Sequence, residues 1–262
     1  MDLGLRGKTV LITGGSSGIG KVTAKRFLEE GALVAICGRD RNRMTAAVGE
    51  LCKVGSEVIG EVANVDSPQD IARLVDVVVT KFGRLDIVVS NAGTHLPGTI
   101  EDISVQRLEQ HFRTKVFALW ELARQVLPHM RKQGGGRLIA IIGQAGKVPG
   151  DQVIGSAAVN IAQHAIVKSL ADYAGKDNIL VNAVCPSRIA SPLTEHLALN
   201  GDELLGRSFE QQQTGWGRQV PLGRRGVVED IANAVLFVAS ERASFLCGTN
   251  IDVDGGYQRT IL

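Results

Sequence analysis

The stretch TVLITGGSSGIG, from Thr9 to Gly20, joins an apolar run to a glycine-rich loop and then to a helix-length segment. Glycines in such a loop permit a tight turn and let backbone amides approach a phosphate at the positive end of the following helix. A glycine-rich loop alone is a weak signal, but strand, loop and helix in this order are a strong one. The stretch therefore predicts the first βαβ unit of a dinucleotide-binding fold.

Short β-branched runs recur along the whole chain and alternate with longer amphipathic segments. Most of these runs are apolar throughout, as expected for parallel strands that are covered on both faces. The predicted strands are Thr9–Ile12, Leu33–Cys37, Val58–Val62, Ile87–Ser90, Leu138–Ile142, Ile179–Val184 and Asn250–Val253. The predicted helices with clear glycine stops are Ile19–Glu30, Pro68–Phe82 and Ser104–Lys132. Repeated strand–helix alternation predicts a seven-stranded, doubly wound parallel sheet of the Rossmann type, with helices on both faces.

The chain of 262 residues fits a single domain, 1–262, with no linker or repeat. Its one long irregular stretch, at about 187–221, follows a strand and predicts a substrate loop or lid. The formal net charge of +2 and the scattered basic residues argue against a nucleic-acid or membrane-surface partner. The sequence shows no secretory signal, no apolar run of membrane-spanning length and no metal-ligand pattern, so a soluble cytoplasmic protein is expected.

Four motifs carry a resemblance to a known family. They are the spacing T-G-x-x-x-G-x-G from Thr13 to Gly20, the turn Asn91-Ala92-Gly93, the segment Pro186–Ser191 and the ending Val253–Gly256. Together they resemble the short-chain dehydrogenase/reductase family over nearly the whole chain, although Ser187 stands where the family usually has glycine. The resemblance implies a nicotinamide cofactor and a homotetramer or homodimer. The cofactor-binding residues that it implies are Gly14, Ser16, Ser17, Gly18, Ile19, Gly20, Arg39, Asn64, Val65, Asn91, Ala92, Gly93, Ile189 and Ser191.

The end of the second strand indicates which nicotinamide cofactor is bound. An NAD enzyme places a carboxylate there to accept hydrogen bonds from the ribose 2′-hydroxyl. This chain has Gly38 at the acidic position and Arg39 next to it, which removes repulsion toward a 2′-phosphate and offers a guanidinium to bind it. NADP is therefore predicted, with NAD as the alternative. Asn64 stands where the family commonly has Asp, and its side-chain oxygen can accept the same bond from the adenine amine.

The residues for proton transfer depart from the family pattern. The flanking runs Gly134–Ile142 and Lys168–Leu170 fix the register of the segment between them. In that register the family's catalytic serine falls on Gly143, its tyrosine on Ser156, its lysine on Asn160, and the asparagine of the preceding long helix on Arg113. A serine hydroxyl cannot be brought into the titration range of an activated phenol, and a positioned general acid contributes roughly 10²–10⁴-fold to the rate. The family mechanism is therefore expected to be crippled.

Several side chains are candidates to replace the missing relay. Gln144 could donate an amide N–H to a carbonyl, Ser156 could donate its hydroxyl, and Asn160 could bond the nicotinamide ribose. Arg113 would bring a permanent positive charge to the site, and His95 has a pKa suited to acid–base work near neutrality. For each of them, ordinary packing or a polar surface role is the alternative interpretation.

Three functions are compatible with the sequence. The first is an NADP-dependent oxidoreductase that acts on a small carbonyl or alcohol through a proton relay of its own. The second is a catalytically silent dinucleotide-binding protein, either a redox sensor or the partner subunit of an active homologue. The third is a non-redox lyase or isomerase on the same fold. The sequence does not name the substrate.

Overall fold

The computed structural model describes residues 1–55, 57–195, 215 and 217–259 of the chain. Seven of its strands form one sheet, and two short strands form a separate ladder. The strands of the sheet are β1 (Thr9–Thr13), β2 (Leu33–Gly38), β3 (Val58–Val62), β4 (Ile87–Ser90), β5 (Gly136–Ile141), β6 (Ile179–Pro186) and β9 (Asn250–Val253). The ladder pairs β7 (Ile189–Ala190) with β8 (Gly226–Val227).

The sheet has the order β3-β2-β1-β4-β5-β6-β9, and all six of its strand pairs are parallel. This confirms the predicted fold class, a seven-stranded doubly wound sheet of the Rossmann type. The chain runs outward from β1 to β3 and then returns to place β4 beside β1. In open α/β sheets, ligands bind beyond the carboxyl ends of the strands at such a reversal of strand order.

The helices pack on both faces of the sheet. They are α1 (Gly18–Glu29), α2 (Arg41–Leu51), α3 (Pro68–Phe82), α4 (Val105–Phe112), α5 (Ala118–Lys132), α6 (Ile154–Ala174) and α7 (Val228–Ala239). One apolar cluster joins the sheet to α3, α5 and α6, and a second joins its other face to α1, α2 and α7. The buried strands explain why the runs are apolar throughout instead of alternating.

Helix α3 shows how local sequence sets its boundaries. The hydroxyl of Ser67 caps the helix by accepting from the amide of Asp70, and Pro68 occupies the first turn, where no amide partner is lost. Gly83 ends the helix in the left-handed conformation at φ 76°, which glycine adopts without steric cost. The predicted range Pro68–Phe82 is confirmed at both ends.

The long helix predicted over Ser104–Lys132 differs from the structure in its middle. Here α4 and α5 are joined by a π-helical segment, Arg113–Phe117, in which hydrogen bonds span five residues instead of four. Such segments are rare, and they change which side chains face the neighbouring helix. Of the lid predicted at about 187–221, residues 196–214 and 216 lie outside the described residues. None of the described helices is long and apolar enough to cross a bilayer.

Candidate active site

The loop after β1 is built to admit a phosphate group. Gly14 has φ 67°, and a side chain on Gly20 would collide with the Gly14 carbonyl oxygen and the Asn91 amide. Helix α1 then begins with Ser17 as its N-cap, but no side chain caps its first turn and that turn holds no acidic residue. The amide groups at this positive helix end are therefore available to an anion, and the glycine loop leaves room for it. A dinucleotide pyrophosphate fits this arrangement, and Ser16, Ser17, Gly18 and Ile19 lie along it.

The turn Asn91–Gly93 is fastened to the same loop. The Asn91 side chain donates to the carbonyl oxygens of Thr13 (2.9 Å) and Gly14 (3.2 Å). In return the Thr13 hydroxyl accepts from the backbone amides of Asn91 and Ala92, both at 3.0 Å. These four bonds hold the carboxyl ends of β1 and β4 together at the strand-order reversal. Gly93 stays exposed at the mouth of the site.

The end of β2 presents an exposed guanidinium. Arg39 makes no ion pair with any acid that the structure describes, since its neighbour Asp40 caps α2 through the amide of Arg43 and pairs with the Arg43 side chain. A Cβ added at Gly38 would lie 3.0 Å from the Ser16 hydroxyl oxygen, so the Ser16 hydroxyl comes close to this strand end. Ser16 and Arg39 thus offer a hydroxyl and a positive charge at one place.

Asn64 and Val65 follow β3 at the same edge of the sheet. The backbone N–H of Asn64 donates to Asp70 Oδ2 at 2.8 Å. The side-chain oxygen of Asn64 accepts from the backbone N–H of Asp66 at 3.2 Å. Val65 is buried in the core beside this turn. The predicted acceptor oxygen of Asn64 is therefore already used once, and an oxygen of this kind has a second lone pair to offer.

The segment after β6 is tied down locally. The Ile189 carbonyl accepts from the Thr194 hydroxyl and from Arg225, both at 2.8 Å. The Ser191 hydroxyl and backbone bond back to Thr194 in a short turn. Both predicted cofactor contacts, Ile189 and Ser191, are buried.

Three of the relay positions predicted from the register, Gly143, Ser156 and Asn160, lie close together. Gly143 and Asn160 are joined by a hydrogen bond, and Ser156 lies on the same helix as Asn160. Asn160 is 3% exposed, and its amide donates to the Gly143 carbonyl oxygen at 2.7 Å. Its side-chain oxygen accepts from Lys115 Nζ at 2.8 Å. Ser156 lies one turn earlier on the same buried face of α6. Gly143 and Asn160, the positions that the register assigns to the family's serine and lysine, are therefore in contact.

Ser156 serves the loop that follows the Asn91–Gly93 turn. Its hydroxyl oxygen accepts from the Leu96 amide at 3.0 Å, and its proton can go to the Leu96 carbonyl or to His95 Nδ1, each at 3.2 Å. Burial lowers the pKa of His95 to about 4, and the positive charges of Lys115 and Arg188 act in the same direction. Because the residue as a whole remains exposed, solvent should offset part of that depression. His95 is a neutral imidazole at pH 7.

Gln144 is engaged elsewhere. Its amide nitrogen donates both hydrogens, to Asp254 Oδ2 at 2.7 Å and to Gln258 Oε1 at 2.9 Å. It therefore has no N–H left for a substrate carbonyl unless one of these bonds opens. Its buried side-chain oxygen has no hydrogen-bond partner among the described residues.

The structure does not bring Arg113 into the chain of hydrogen bonds around Asn160. Arg113 opens the π-helical segment and its side chain is exposed, whereas Lys115, two residues later, is 9% exposed and contacts Asn160. The cation of this site is therefore the Lys115 ammonium. The physical reason is the position of each residue around the helix, since Lys115 lies on the buried face that packs against α6 and Arg113 lies on the exposed face. Burial lowers the pKa of Lys115 to about 8.

A signal for Lys115 was present in the sequence. The apolar stripe Leu108, Phe112, Leu119 has the spacing i, i+4, i+11, and Lys115 occupies the vacant i+7 place on that stripe. The contact between Arg188 and Tyr257 was not detectable from local sequence patterns. Arg188, at φ 54°, donates to the Tyr257 hydroxyl at 2.8 Å, and its guanidinium lies 4.6 Å from the centre of the Tyr257 ring. No group of three His, Cys, Asp or Glu residues in the described part of the chain could hold a metal ion.

Comparisons with known proteins agree with this geometry. The family model described as enoyl-(acyl carrier protein) reductase matches residues 14–258. Dehydrogenase/reductase SDR family member 4 from Caenorhabditis elegans is 33% identical over 257 residues, covering 96% of this chain and 95% of the relative. The crystal structure of L-sorbose reductase from Gluconobacter frateurii, complexed with NADPH and L-sorbose, superposes with a TM-score of 0.93 at 32% identity and full coverage of both chains.

A third relative was solved with the other nicotinamide cofactor. It is a 7α-hydroxysteroid dehydrogenase complexed with NADH and 7-oxo glycochenodeoxycholic acid, with a TM-score of 0.89 at 29% identity, covering 100% of this chain and 98% of that one. The family model spans most of the chain, and the whole fold superposes on these oxidoreductases. The chain belongs to the short-chain dehydrogenase/reductase family.

Proposed function

We propose that this protein is an NADP(H)-dependent oxidoreductase that acts on a small carbonyl or alcohol substrate through a proton relay different from the family's. The observation that carries the proposal is the phosphate site itself: a glycine loop fastened by Asn91 to an uncapped helix end, with Arg39 exposed beside it. When bound, the reduced nicotinamide supplies a hydride. The chain's own residues must then hold the substrate and provide the proton.

The preference for NADP rests on charge. A 2′-phosphate would meet the Arg39 guanidinium and the Ser16 hydroxyl, and the neighbouring carboxylate of Asp40 is engaged by Arg43. The family also includes the sorbose reductase that was solved with NADPH and the steroid dehydrogenase that was solved with NADH. The cofactor must therefore be measured for this chain.

Replacing Arg39 by Ala is expected to weaken NADPH binding by about 10- to 100-fold, because a hydrogen bond to a charged group contributes roughly 1.5–3 kcal/mol. NADH, which lacks the 2′-phosphate, should bind the variant and the unchanged protein equally. Titration of nicotinamide fluorescence measures both affinities. Arg41→Ala, an exposed arginine on the adjacent helix, is the matched control. Equal losses for NADPH and NADH would contradict the assignment of Arg39 to the 2′-phosphate.

The oxidoreductase function is tested by following NADPH absorbance with a panel of ketones, aldehydes and enones, and NADP⁺ reduction with the corresponding alcohols. L-sorbose belongs on the panel because it is bound in the sorbose reductase complex. Turnover of at least one member above the rate without protein supports the proposal. Saturable NADPH binding with no turnover of any member would overturn it.

A second candidate function is a catalytically silent dinucleotide-binding protein. It is favoured by one observation: the Gln144 amide nitrogen, the Ser156 hydroxyl and the Asn160 amide nitrogen all make hydrogen bonds within the chain. That candidate predicts NADP(H) binding without turnover, together with a stable complex with an active homologue or a response to the NADP⁺/NADPH ratio. The absorbance panel separates the two functions directly.

The family resemblance and an exposed apolar face support a homotetramer or homodimer. Phe117 (54% exposed), Trp120 (56%) and Ile161 (53%) are large apolar side chains on the packed helical segments of the π turn, α5 and α6. Exposed apolar residues grouped in this way are typical of an interface between subunits. A cytoplasmic location stays a prediction of the sequence.

A further inference from the structure

Lys115 carries a charge that the described part of the chain does not neutralise. Its ammonium makes a single hydrogen bond, to the neutral oxygen of Asn160, and no described carboxylate forms an ion pair with it. Two of its three N–H donors therefore have no acceptor among the described residues. A buried charge without a partner is costly and is retained where it has work to do at a functional site.

The groups around Lys115 do not compensate this charge. The titratable groups that interact with it are His95 after the Asn91–Gly93 turn, His111 on α4 and His164 on α6, and Lys115 lowers the pKa of each of them. Arg188, on the segment after β6, adds a further positive charge near His95. The described acids nearest to these groups act on other partners: Asp252 on β9, together with Lys147, acts on His164, and Asp254 accepts from Gln144. Burial alone accounts for the lowered pKa of Lys115, so no described acid compensates its charge.

The ammonium also lies where the cofactor turn and the relay positions meet. A Cβ added at Gly93 would lie 3.4 Å from Lys115 Cε, so the lysine side chain packs along the turn that the family uses beside the cofactor. At its tip, Nζ bonds Asn160, which in turn bonds Gly143. Lys115 therefore brings an amine to the two places where the register leaves the lysine and the serine of the family unfilled.

We propose that Lys115 is the proton donor of the reduction, with its Nζ facing the carbonyl oxygen of the substrate. This inference rests on the proposed oxidoreductase function. The Asn160 oxygen holds Nζ in place and leaves two N–H groups for the substrate. Burial, which lowers the lysine pKa to about 8, brings the group into the range where a general acid works near neutral pH.

The proton count balances. The carbonyl carbon gains a hydride from the reduced nicotinamide, which is thereby oxidised, its C–O π pair becomes the lone pair of an alkoxide, and that oxygen takes the proton from Lys115 Nζ. The N–H bond breaks, the O–H bond of the alcohol forms, and the lysine is left as a neutral amine. The amine then regains a proton from water before the next turnover. In the reverse direction the neutral amine accepts the proton of the alcohol.

The test combines Lys115→Met, Lys115→Arg and the control Lys132→Met, an exposed lysine at the end of α5. Turnover is followed with NADPH and the best substrate of the panel, and NADPH affinity by nicotinamide fluorescence. We expect both Lys115 variants to bind NADPH within about threefold of the unchanged protein and to lose roughly 10²–10⁴-fold in kcat, the contribution typical of a general acid. Arginine keeps the charge but cannot release a proton in this pH range.

A readout that needs no substrate follows the amine itself. With lysine labelled at ¹³Cε, the Lys115 signal is the one that Lys115→Met removes. We expect it to titrate near pH 8, and kcat for reduction to fall as pH rises through the same value, because the donor must be protonated.

Four results would overturn the assignment. They are a normal lysine titration near pH 10.5, full activity in Lys115→Met, recovered activity in Lys115→Arg, or loss of NADPH affinity with kcat retained, which would make Lys115 a cofactor-binding residue. Failure of the proposed function is a different result, since the unchanged protein would then turn over no panel member at any pH.

Discussion

At the scale of single residues, two of the relay positions predicted from the register lie within a network of hydrogen bonds. Gly143 and Asn160 hold the places that the register assigns to a serine and a lysine, yet they are joined by a 2.7 Å bond. The positive charge enters from Lys115, on another helix. A buried ammonium with one neutral partner is unfavourable for folding, so Lys115 should trade stability for function.

Lys115→Met is therefore expected to raise the free energy of unfolding by about 1–2 kcal/mol at pH 7. The lowering of the Lys115 pKa from the ordinary 10.5 to about 8 in the folded protein means that burying the charge costs roughly 3 kcal/mol of stability. The variant removes this cost but also loses the hydrogen bond to Asn160, which contributes about 1 kcal/mol. Below pH 8 the lysine is charged in both states and the cost is complete. Between pH 8 and 10.5 the folded protein loses its proton first, so the advantage of the variant should shrink as pH rises.

Urea unfolding at pH 7 and at pH 10 measures this difference. Lys132→Met, which removes an exposed lysine, should change stability by less than about 0.5 kcal/mol at either pH. A Lys115→Met protein that is less stable at pH 7, or whose advantage grows with pH, would show that the ammonium is compensated in a way that the described contacts do not include.

At the scale of elements, the π-helical segment carries Lys115, the side chain that faces α6. The segment is supported from α6 by Gln163, which is 3% exposed and donates to the Lys115 carbonyl oxygen at 3.1 Å. Buried polar residues on α6 thus hold Lys115 at both ends: Gln163 at the backbone and Asn160 at the ammonium. This pairing explains why α6 keeps amide side chains on a face that otherwise packs in the core.

Gln163→Leu should destabilise the protein by about 1–3 kcal/mol, because it leaves a backbone carbonyl without its side-chain partner in a buried place. It should also disturb the Lys115 titration, since the carbonyl that it releases belongs to Lys115 itself. Urea unfolding and the ¹³Cε signal measure the two effects. Gln106→Leu on α4, an exposed glutamine, is the control and should change neither. An unchanged Lys115 signal in Gln163→Leu would mean that the π turn holds its shape without this bond.

At the scale of the whole molecule, the sheet reversal between β1 and β4 gathers the phosphate loop, the Asn91–Gly93 turn and the cation site at one edge. Phe117 in the π segment and Trp120 on α5 are exposed, whereas Lys115 in the same π segment is buried. The molecule thus separates a polar site from an apolar face on the same helical segments, which fits subunits that associate through one side and bind ligand on the other.

Trp120→Glu should lower the mass of the particle in light scattering to that of a smaller assembly, because a charge at the centre of a desolvated interface is costly. Phe117→Glu should act in the same way. Ile100→Glu, which changes a 74% exposed side chain in the loop after β4, is the control and should leave the mass unchanged. A particle that is already monomeric without any substitution would contradict the proposal of a homotetramer or homodimer.

The sequence by itself determined the sheet, the phosphate loop and most element boundaries. These features depend on local periodicity, on glycines and on caps, as α3 shows with both of its ends predicted, and such signals lie within a few residues of the structure that they specify. The register of α6 was also readable, because the flanking runs fix it, and it brought Asn160 onto Gly143.

Only the tertiary structure decided which cation enters the site. The family register placed Arg113 there, whereas the structure leaves Arg113 exposed and buries Lys115 in the π-helical segment, where Gln163 donates to its carbonyl oxygen from 48 positions away in the chain. The apolar stripe places Lys115 on the packed face of the helix, but the bonds to Asn160 and Gln163 across 45 and 48 positions leave no trace in a local pattern. The glycine loop at Thr13–Gly20 is therefore legible from the chain alone, while the amine beside Asn160 is a product of packing.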